Sequence, residues 1–225
     1  MSSILEIARQ IQRSVPKPRL AAPFEAFCVG VDLAPDFAAL CVLERFTVTT
    51  EEFRHKGFEA PAIINTRKKI HRLRCLQRLP SGYPEIISVI STLIASLPES
   101  QIKPATVINV TQVGKPAAVF LAKHGLGVVA VTATSGDAEH RVGVGEYRVP
   151  QRDLVSVLSV LMQSDRFRVS TDLAETEKLT SELVNFSGDD DRWKTPDSLC
   201  RSVCIAAWWA ERMMPLPKIN FSMAR

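Results

Sequence analysis

The stretch from Cys28 to Glu44 reads CVGVDLAPDFAALCVLE, and it decides the fold. Two apolar runs flank the turn residues Ala-Pro-Asp, which is the pattern of a β-hairpin. Asp32 interrupts the first run, although a carboxylate inside a buried strand is destabilising unless a cation or hydrogen-bond donors compensate it. The sequence therefore predicts a buried strand whose aspartate has a specific partner.

The composition permits several classes of function and excludes few. The chain has 225 residues, 46% of them hydrophobic, which is enough for one substantial core. Its formal charge of +4 permits contact with nucleic acid without requiring it. No apolar run reaches the ~20 residues of a membrane helix, and the N-terminus lacks the features of a secretory signal, so we expect a cytoplasmic protein with no membrane partner. Five scattered cysteines without a CxxC pair indicate reduced thiols rather than disulfides or zinc.

The remaining chain alternates between strand and helix patterns. A third strand is predicted over 68–80, a helix over 83–98, a strand over 104–110, a helix ended by Gly125, and a strand over 126–134. A glycine-rich mobile loop at 135–150 precedes a helix, a short strand at 166–170 and two more helices, the last over 197–214. This order predicts an α/β fold in which helices cover both faces of a mixed sheet and the first strand lies beside the fourth.

Two further details of the pattern concern the third strand and the N-terminus. In the third strand, alternation places His71, Leu73 and Cys75 on one face and Arg72 and Arg74 on the other. At the N-terminus, an amphipathic helical pattern over 3–14 and three prolines within 15–23 predict an arm and linker at 1–24. We expect the domain to span 25–214 and a tail to follow at 215–225.

A series of segments in this chain resembles the RNase H-like nuclease domain of the large terminase subunit of tailed bacteriophages. They occur in the family order and cover 28–212. The segments are VGVDLAPDFAALCVLER, IHRLRCLQRLPSGYPEIISVI, INVTQVGKPAAVFL, YRVPQRDLVSVLSVLMQSDRFRVS, ETEKLTSELVNF and PDSLCRSVCIAAWW. The resemblance implies an RNase H-like mixed sheet behind the N-terminal arm.

The resemblance also implies a site. Asp32 matches the aspartate of the family's first strand, Asn109 stands where the family has a second aspartate, and Asp197 opens the last helix as the first of an expected aspartate pair. These three would be the catalytic residues, with Asp32 and Asp197 as ligands of Mg²⁺ or Mn²⁺. Because Asn109 and Ser198 replace acids, two of the four implied carboxylates are absent. Asp36 and the acids at 189–191 are alternative ligands.

Basic residues form a candidate DNA-contacting set. We expect them to border the same edge of the sheet as the carboxylates, where they would contact phosphates. The alternative is a solvated strand face. The set comprises Arg67, Lys68, Lys69, Arg72, Arg74, Arg141, Arg148 and Arg152.

Three functions follow from these features. The leading prediction is a terminase nuclease-like protein that binds double-stranded DNA in the bacterial cytoplasm, with metal-dependent endonuclease chemistry that is weak or lost. Its other partners would be the packaging ATPase, the small terminase and the portal, since TQVGKPAA does not satisfy the phosphate-loop pattern GxxxxGK[ST]. The second is a non-catalytic interaction or assembly module of a packaging complex. The third is a resolvase-like nuclease, which requires more acids than this chain offers.

Overall fold

The computed structural model describes residues 25–33, 37–54, 62–80, 83–111, 114–170, 173–185 and 198–213. The predicted arm and linker at 1–24 and the tail at 215–225 lie outside the described residues. Asp36, the acids at 189–191 and Asp197 lie outside them as well.

The described strands form one eight-stranded sheet. Their bounds are β1 Ala26–Leu33, β2 Phe37–Arg54, β3 Ala62–Pro80, β4 Ala105–Asn109, β5 Val128–Thr134, β6 His140–Gly143, β7 Glu146–Pro150 and β8 Phe167–Val169. The order is β6-β7-β5-β4-β1-β2-β3-β8. Only β2 and β6 run against their neighbours, so the sheet is mixed, and β1 lies between β2 and β4 as the sequence predicts.

Helices cover both faces of this sheet. The described helices are α1 Tyr83–Ser96, α2 Gly114–Lys123, α3 Gln151–Gln163, α4 Thr176–Asn185 and α5 Ser198–Arg212. Apolar residues of α1 and α2 pack in one core cluster, and those of α3, α4 and α5 pack in the other. The predicted α/β fold class, a mixed sheet with helices on both faces, is confirmed.

The first strand is the centre of the molecule. All eight of its residues are buried, because helices cover the sheet above and below it. Alternation divides its side chains, with Cys28 in the α5-side cluster and Val29 and Val31 in the cluster of α1 and α2. The strand is therefore apolar throughout, except at Gly30 and Asp32.

The second and third strands are longer than predicted and extend beyond the sheet. Beyond the sheet, β2 and β3 continue to pair as antiparallel strands, from Phe46 opposite Ile70 to Arg54 opposite Ala62. Neither β1 nor β8 reaches this part, since β1 begins opposite Arg45 and β8 begins opposite His71. We call residues 46–54 and 62–70 the ribbon. Among the described residues it is a two-stranded extension of the sheet.

An irregularity in β3 changes which side chains share a face. Between the pairs Val42–Cys75 and Leu43–Leu73 the register shifts by one residue, which leaves Arg74 as the extra residue of a bulge. Leu73 therefore points into the α5-side cluster, whereas Cys75 packs against the opposite one. The prediction that Cys75 shares a face with His71 and Leu73 is wrong for this reason.

The segment predicted as a mobile loop at 135–150 contains a hairpin. β6 and β7 pair as antiparallel strands, and β7 also pairs with β5. Gly145 supplies the positive φ of 73° in the turn. The loop prediction weighed the glycines and polar residues of this segment and overlooked the alternation in Glu146–Pro150, whose last two residues are buried.

Three further observations concern the cysteines, the end of α2 and membrane-spanning helices. The five cysteines form no disulfide, and Cys28, Cys41, Cys200 and Cys204 are buried. Gly125 ends α2 with a φ of 77°, as predicted. Within the described chain, no helix has the length and apolar character needed to cross a membrane.

Candidate functional site

Asp32 lies at the end of the central strand with almost no access to water. It is paired in register with Ala39 of β2 and with Asn109 of β4, and it is 1% exposed. Removing an ionised carboxylate from water is costly by several kcal/mol unless charge and hydrogen bonds compensate it. The surroundings of Asp32 must therefore supply both.

Each oxygen of the Asp32 carboxylate accepts a hydrogen bond from a buried side chain. The Nε–H of Arg201 donates to Oδ2 at 2.9 Å, and the amide Nδ2–H of Asn109 donates to Oδ1 at 2.7 Å. Arg201 is 7% exposed, so the ion pair is formed inside the protein. Donors on both oxygens fit an ionised carboxylate, which accepts hydrogen bonds and has none to donate.

Asn109 connects this ion pair to the neighbouring strands. Its Oδ1 accepts hydrogen bonds from the backbone N–H of Thr111 at 3.1 Å and from the Thr111 hydroxyl at 2.6 Å. The same hydroxyl oxygen accepts from the backbone N–H of Ala133 at 3.0 Å. We call Asp32, Asn109, Thr111 and Arg201 the Asp32 network. An amide suits position 109 because it donates to Asp32 and accepts from Thr111.

The pKa of Asp32 reflects two opposed effects. Burial raises the pKa of this carboxyl above its ordinary value, while the charge of Arg201 and the hydrogen bonds from Asn109 and Arg201 act to lower it. The charge of Arg201 and the two hydrogen bonds therefore offset part of the cost of burying the Asp32 carboxylate.

A close approach of α5 to β1 brings Arg201 to Asp32. A Cβ atom on Gly30 would lie 2.1 Å from the backbone oxygen of Ser202 and 2.9 Å from the Cβ of Ala206. The Cys41 thiol donates to the same Ser202 oxygen at 3.3 Å. Only glycine fits at position 30, and its absence of a side chain lets the helix lie directly on the strand.

The other end of α5 is held by a second buried arginine. Nη1 of Arg45 lies 2.5 Å from the carbonyl oxygens of both Ala210 and Met213, and Nε lies 3.3 Å from Oε2 of Glu25. A cation at a helix C-terminus satisfies carbonyls that lack partners within the helix and interacts favourably with the helix dipole. Arg45 and Gly30 together fix where Arg201 stands.

The predicted catalytic residues are only partly brought together. Asp32 and Asn109 are in contact, whereas Asp197 lies outside the described residues. Ser198, the residue in place of the second expected acid, begins α5 fully buried, and its Oγ has no hydrogen-bond partner among the described residues. Arg201 was not among the predicted site residues, although a single cation within the apolar run LCRSVCIAAWW was a usable signal.

The donor set at Asp32 does not fit the Mg²⁺ or Mn²⁺ ions that the resemblance implies. Hard divalent cations need several oxygen ligands, preferably charged ones. Both Asp32 oxygens are engaged by protein donors, and Asn109 turns its nitrogen rather than its oxygen toward them. Among the described residues, no group of three or more His, Cys, Asp or Glu side chains could hold a metal ion. We therefore assign no metal-dependent step to these residues.

Only part of the predicted DNA-contacting set lies at the level of Asp32 in the sheet. Arg78 of β3 pairs with Ala39 of β2, which in turn pairs with Asp32, so Arg78 marks the level of Asp32 on β3. Lys69 lies nine residues before Arg78, which is about 30 Å along the strand. Arg141 of β6 stands level with Asp32 through Tyr147, Val131 and Asn109. It lies four strand spacings from β1, which is about 20 Å. The expectation of one shared edge is therefore wrong for the β3 residues near Lys69, because β3 extends far beyond β1, whereas Arg141 lies at the level of Asp32.

These basic residues also differ in their partners. Arg72 and Arg74 lie 4.0 and 3.2 Å from the buried carboxylate of Glu44, and Arg152 pairs with Asp137 at 2.9 Å. Burial raises the pKa of Glu44, and the two arginines oppose that effect. Exposed Arg148 and Arg141 lie on β7 and β6. By contrast, the ribbon cations Arg67, Lys68 and Lys69 form no ion pair with any described acid, and neither do Arg141 and Arg148.

Comparisons with known proteins add little to this description. No family model matches the chain, and no curated protein matches it. A solved structure of Thermus thermophilus RuvC is similar over 83% of this chain and 96% of that chain, with 13% identity and a TM-score of 0.34. A TM-score this low does not establish a shared fold, so the fold assignment rests on the strand order and directions.

Proposed function

We propose that this chain is a terminase nuclease-like protein that binds double-stranded DNA without cleaving it. The observation that carries the proposal is the hydrogen bond from Arg201 Nε to Asp32 Oδ2. In two-metal hydrolysis, carboxylates hold the ions that stabilise the attacking and leaving oxygens. Here an internal guanidinium neutralises the carboxylate instead, and the group is closed to solvent.

The ribbon supports the DNA-binding part of the proposal. A two-stranded β-ribbon is narrow enough to enter the major groove of B-DNA. Arg67 and Lys69 are both exposed and lie two residues apart on β3, so they project from one face about 7 Å apart. Cations that are not already paired with acids are the ones available to neutralise phosphates. The ribbon is therefore the favoured contact surface.

The packaging context rests on the sequence resemblance. It implies that a separate ATPase subunit, the small terminase and the portal would be partners in the cytoplasm of a bacterial host. A DNA-binding subunit without hydrolysis would serve such a complex by holding the duplex. In this role Asp32 stabilises the junction of β1, β4 and α5 and takes no part in chemistry.

The experiment combines cleavage with binding. Supercoiled plasmid is incubated with the purified chain in Mg²⁺ and in Mn²⁺, beside Asp32→Asn. Binding of a labelled duplex is then measured against salt for the parent, Arg67→Ala/Lys69→Ala and the charge-matched control Lys103→Ala/Lys178→Ala. We expect no nicking, and a salt slope that falls by about 2 for the ribbon variant alone.

Three results would overturn the proposal or part of it. If the parent nicks the plasmid and Asp32→Asn does not, the chain is an endonuclease, which is the second candidate function. The contact between Asp32 and Asn109 at the predicted strand ends favours that candidate. Equal losses of DNA affinity in the ribbon variant and in the control would remove the ribbon from the contact surface. Absence of any DNA binding would leave the non-catalytic assembly module as the function.

A further inference from the structure

The outer face of α2 carries two neighbouring rows of side chains that nothing in the described chain covers. Lys115, Val119 and Lys123 are spaced four residues apart, and Pro116 and Phe120 form the adjacent row. Val119 is 50% exposed and Phe120 47%. These five residues line an open groove of about 420 Å³. We call them the α2 stripe.

The exposure of the stripe does not come from a helix turned the wrong way. The opposite face of α2 is properly buried, with Ala117, Ala118 and Leu121 in the core beneath it. Phe120 is held at the surface by its stacking on His124, with ring centroids 4.4 Å apart. The stripe is therefore apolar surface that packs against nothing else in the described chain.

The charge around the stripe limits what could cover it. Lys115 and Lys123 stand at its two ends, eight residues or about 12 Å apart along the helix. Neither forms an ion pair with an acid of the described chain. No Asp or Glu occurs in the helix sequence GKPAAVFLAK. A complementary surface has apolar side chains at its centre and carboxylates on both sides.

We propose that the α2 stripe docks an acidic amphipathic helix of a partner protein. Apolar anchors on one face of that helix would cover Val119 and Phe120, as in other complexes where a helix lies in a groove. Its flanking carboxylates would pair with Lys115 and Lys123, which orients the helix and speeds association. The surface is small, so the contact is a transient one or part of a larger interface. The proposal does not depend on whether the chain binds or cuts DNA.

The test uses the full chain and two synthetic helical peptides. Both carry leucines at the anchor spacing, and they differ only in having glutamates or lysines at the flanking positions. Binding is measured by fluorescence anisotropy against increasing salt. We expect the acidic peptide to bind at least tenfold more tightly than the basic one, and Val119→Ala/Phe120→Ala to abolish the difference. The matched control is Val142→Ala/Val144→Ala, which removes valines that are 56% and 95% exposed on the β6–β7 hairpin.

Charge reversal makes the result specific. Lys115→Glu/Lys123→Glu leaves the apolar centre intact and should make the basic peptide the tighter ligand. Failure of the acidic peptide to bind at ~100 µM would overturn the proposal. So would equal binding of both peptides. A dimer in sedimentation that dissociates in Val119→Ala/Phe120→Ala would overturn the proposal and indicate that a second copy of this chain covers the stripe. Loss of duplex binding in Lys115→Glu/Lys123→Glu would also overturn it and indicate that the stripe contacts DNA.

Discussion

Asn109 Nδ2 lies 2.7 Å from Asp32 Oδ1, across the register of two adjacent parallel strands. Asparagine at this position is therefore more than the absence of an acid. It donates a hydrogen bond that a carboxylate could not donate, and its Oδ1 accepts hydrogen bonds from the backbone N–H and the hydroxyl of Thr111. The substitution that removes a potential metal ligand also stabilises the aspartate beside it.

Asn109→Asp should destabilise the fold near neutral pH. It would place a second carboxylate at hydrogen-bond distance from Asp32, and two such groups cannot both ionise readily, so the pKa of one rises. The loss should be about 1–3 kcal/mol at pH 7. In the folded variant, the pKa of one of the two carboxyls is raised above its unfolded value of about 3.9. The free energy of unfolding therefore falls as pH rises from the unfolded pKa to the raised folded pKa. Urea unfolding at pH 4.5 and 7.5 should show the larger loss at pH 7.5, and equal losses would contradict the contact.

Arg201→Leu should be among the most damaging single changes at the site. It leaves Asp32 buried without a cation, for which a loss of about 3–5 kcal/mol is typical. The double variant Asp32→Asn/Arg201→Leu removes both charges and keeps an amide pair with Asn109, so it should recover most of that loss. Chemical denaturation of the parent, both single variants and the double variant gives the coupling free energy. A coupling near zero would mean that the ion pair contributes nothing to folding.

Some of the site could be predicted from the sequence because its signals are local. The two apolar runs that flank the turn after Asp32 predicted the first hairpin, and the crossover helix predicted that β4 lies beside β1. These two facts are sufficient to bring Asp32 and Asn109 together. Arg201 could not be assigned because its partner is 169 residues away, and no local pattern states which buried charge an α5 arginine will meet.

The ribbon and the bulge show a different limit. Hydrophobic alternation ends where a strand leaves the core, so the pattern gave no sign that β2 continues through Arg54 or that β3 begins at Ala62. A single extra residue at Arg74 then moved Cys75 to the opposite face. Register is a property of both strands, and one strand read alone does not reveal a bulge.

Gly30→Ala tests the close approach of α5 to β1. The added methyl would overlap the Ser202 carbonyl and touch Ala206, so the helix must move away from the strand. Overpacking of this kind typically destabilises by about 1–3 kcal/mol, and backbone leaves little room to adjust. Gly127→Ala is the control, since its added Cβ meets only the Pro104 oxygen at 3.5 Å. Urea midpoints should fall for Gly30→Ala alone, and equal midpoints for both variants would refute the contact.

Glu211 should set part of the acid sensitivity of the fold. His71 Nε2 lies 2.7 Å and Arg166 Nη2 lies 2.6 Å from its Oε1, and these bonds lower the pKa of Glu211 to about 2. Burial lowers the pKa of His71, so a neutral ring donates this bond at pH 7. A carboxyl with a depressed pKa stabilises fully above its unfolded value of about 4.3, and the contribution disappears as pH falls toward 2. Glu211→Gln should therefore lower the urea midpoint at pH 7 and leave a flatter decline between about pH 4.5 and 2, whereas exposed Glu99→Gln should follow the parent throughout. Parallel curves for Glu211→Gln and the parent would show that this carboxylate gains nothing from His71 and Arg166.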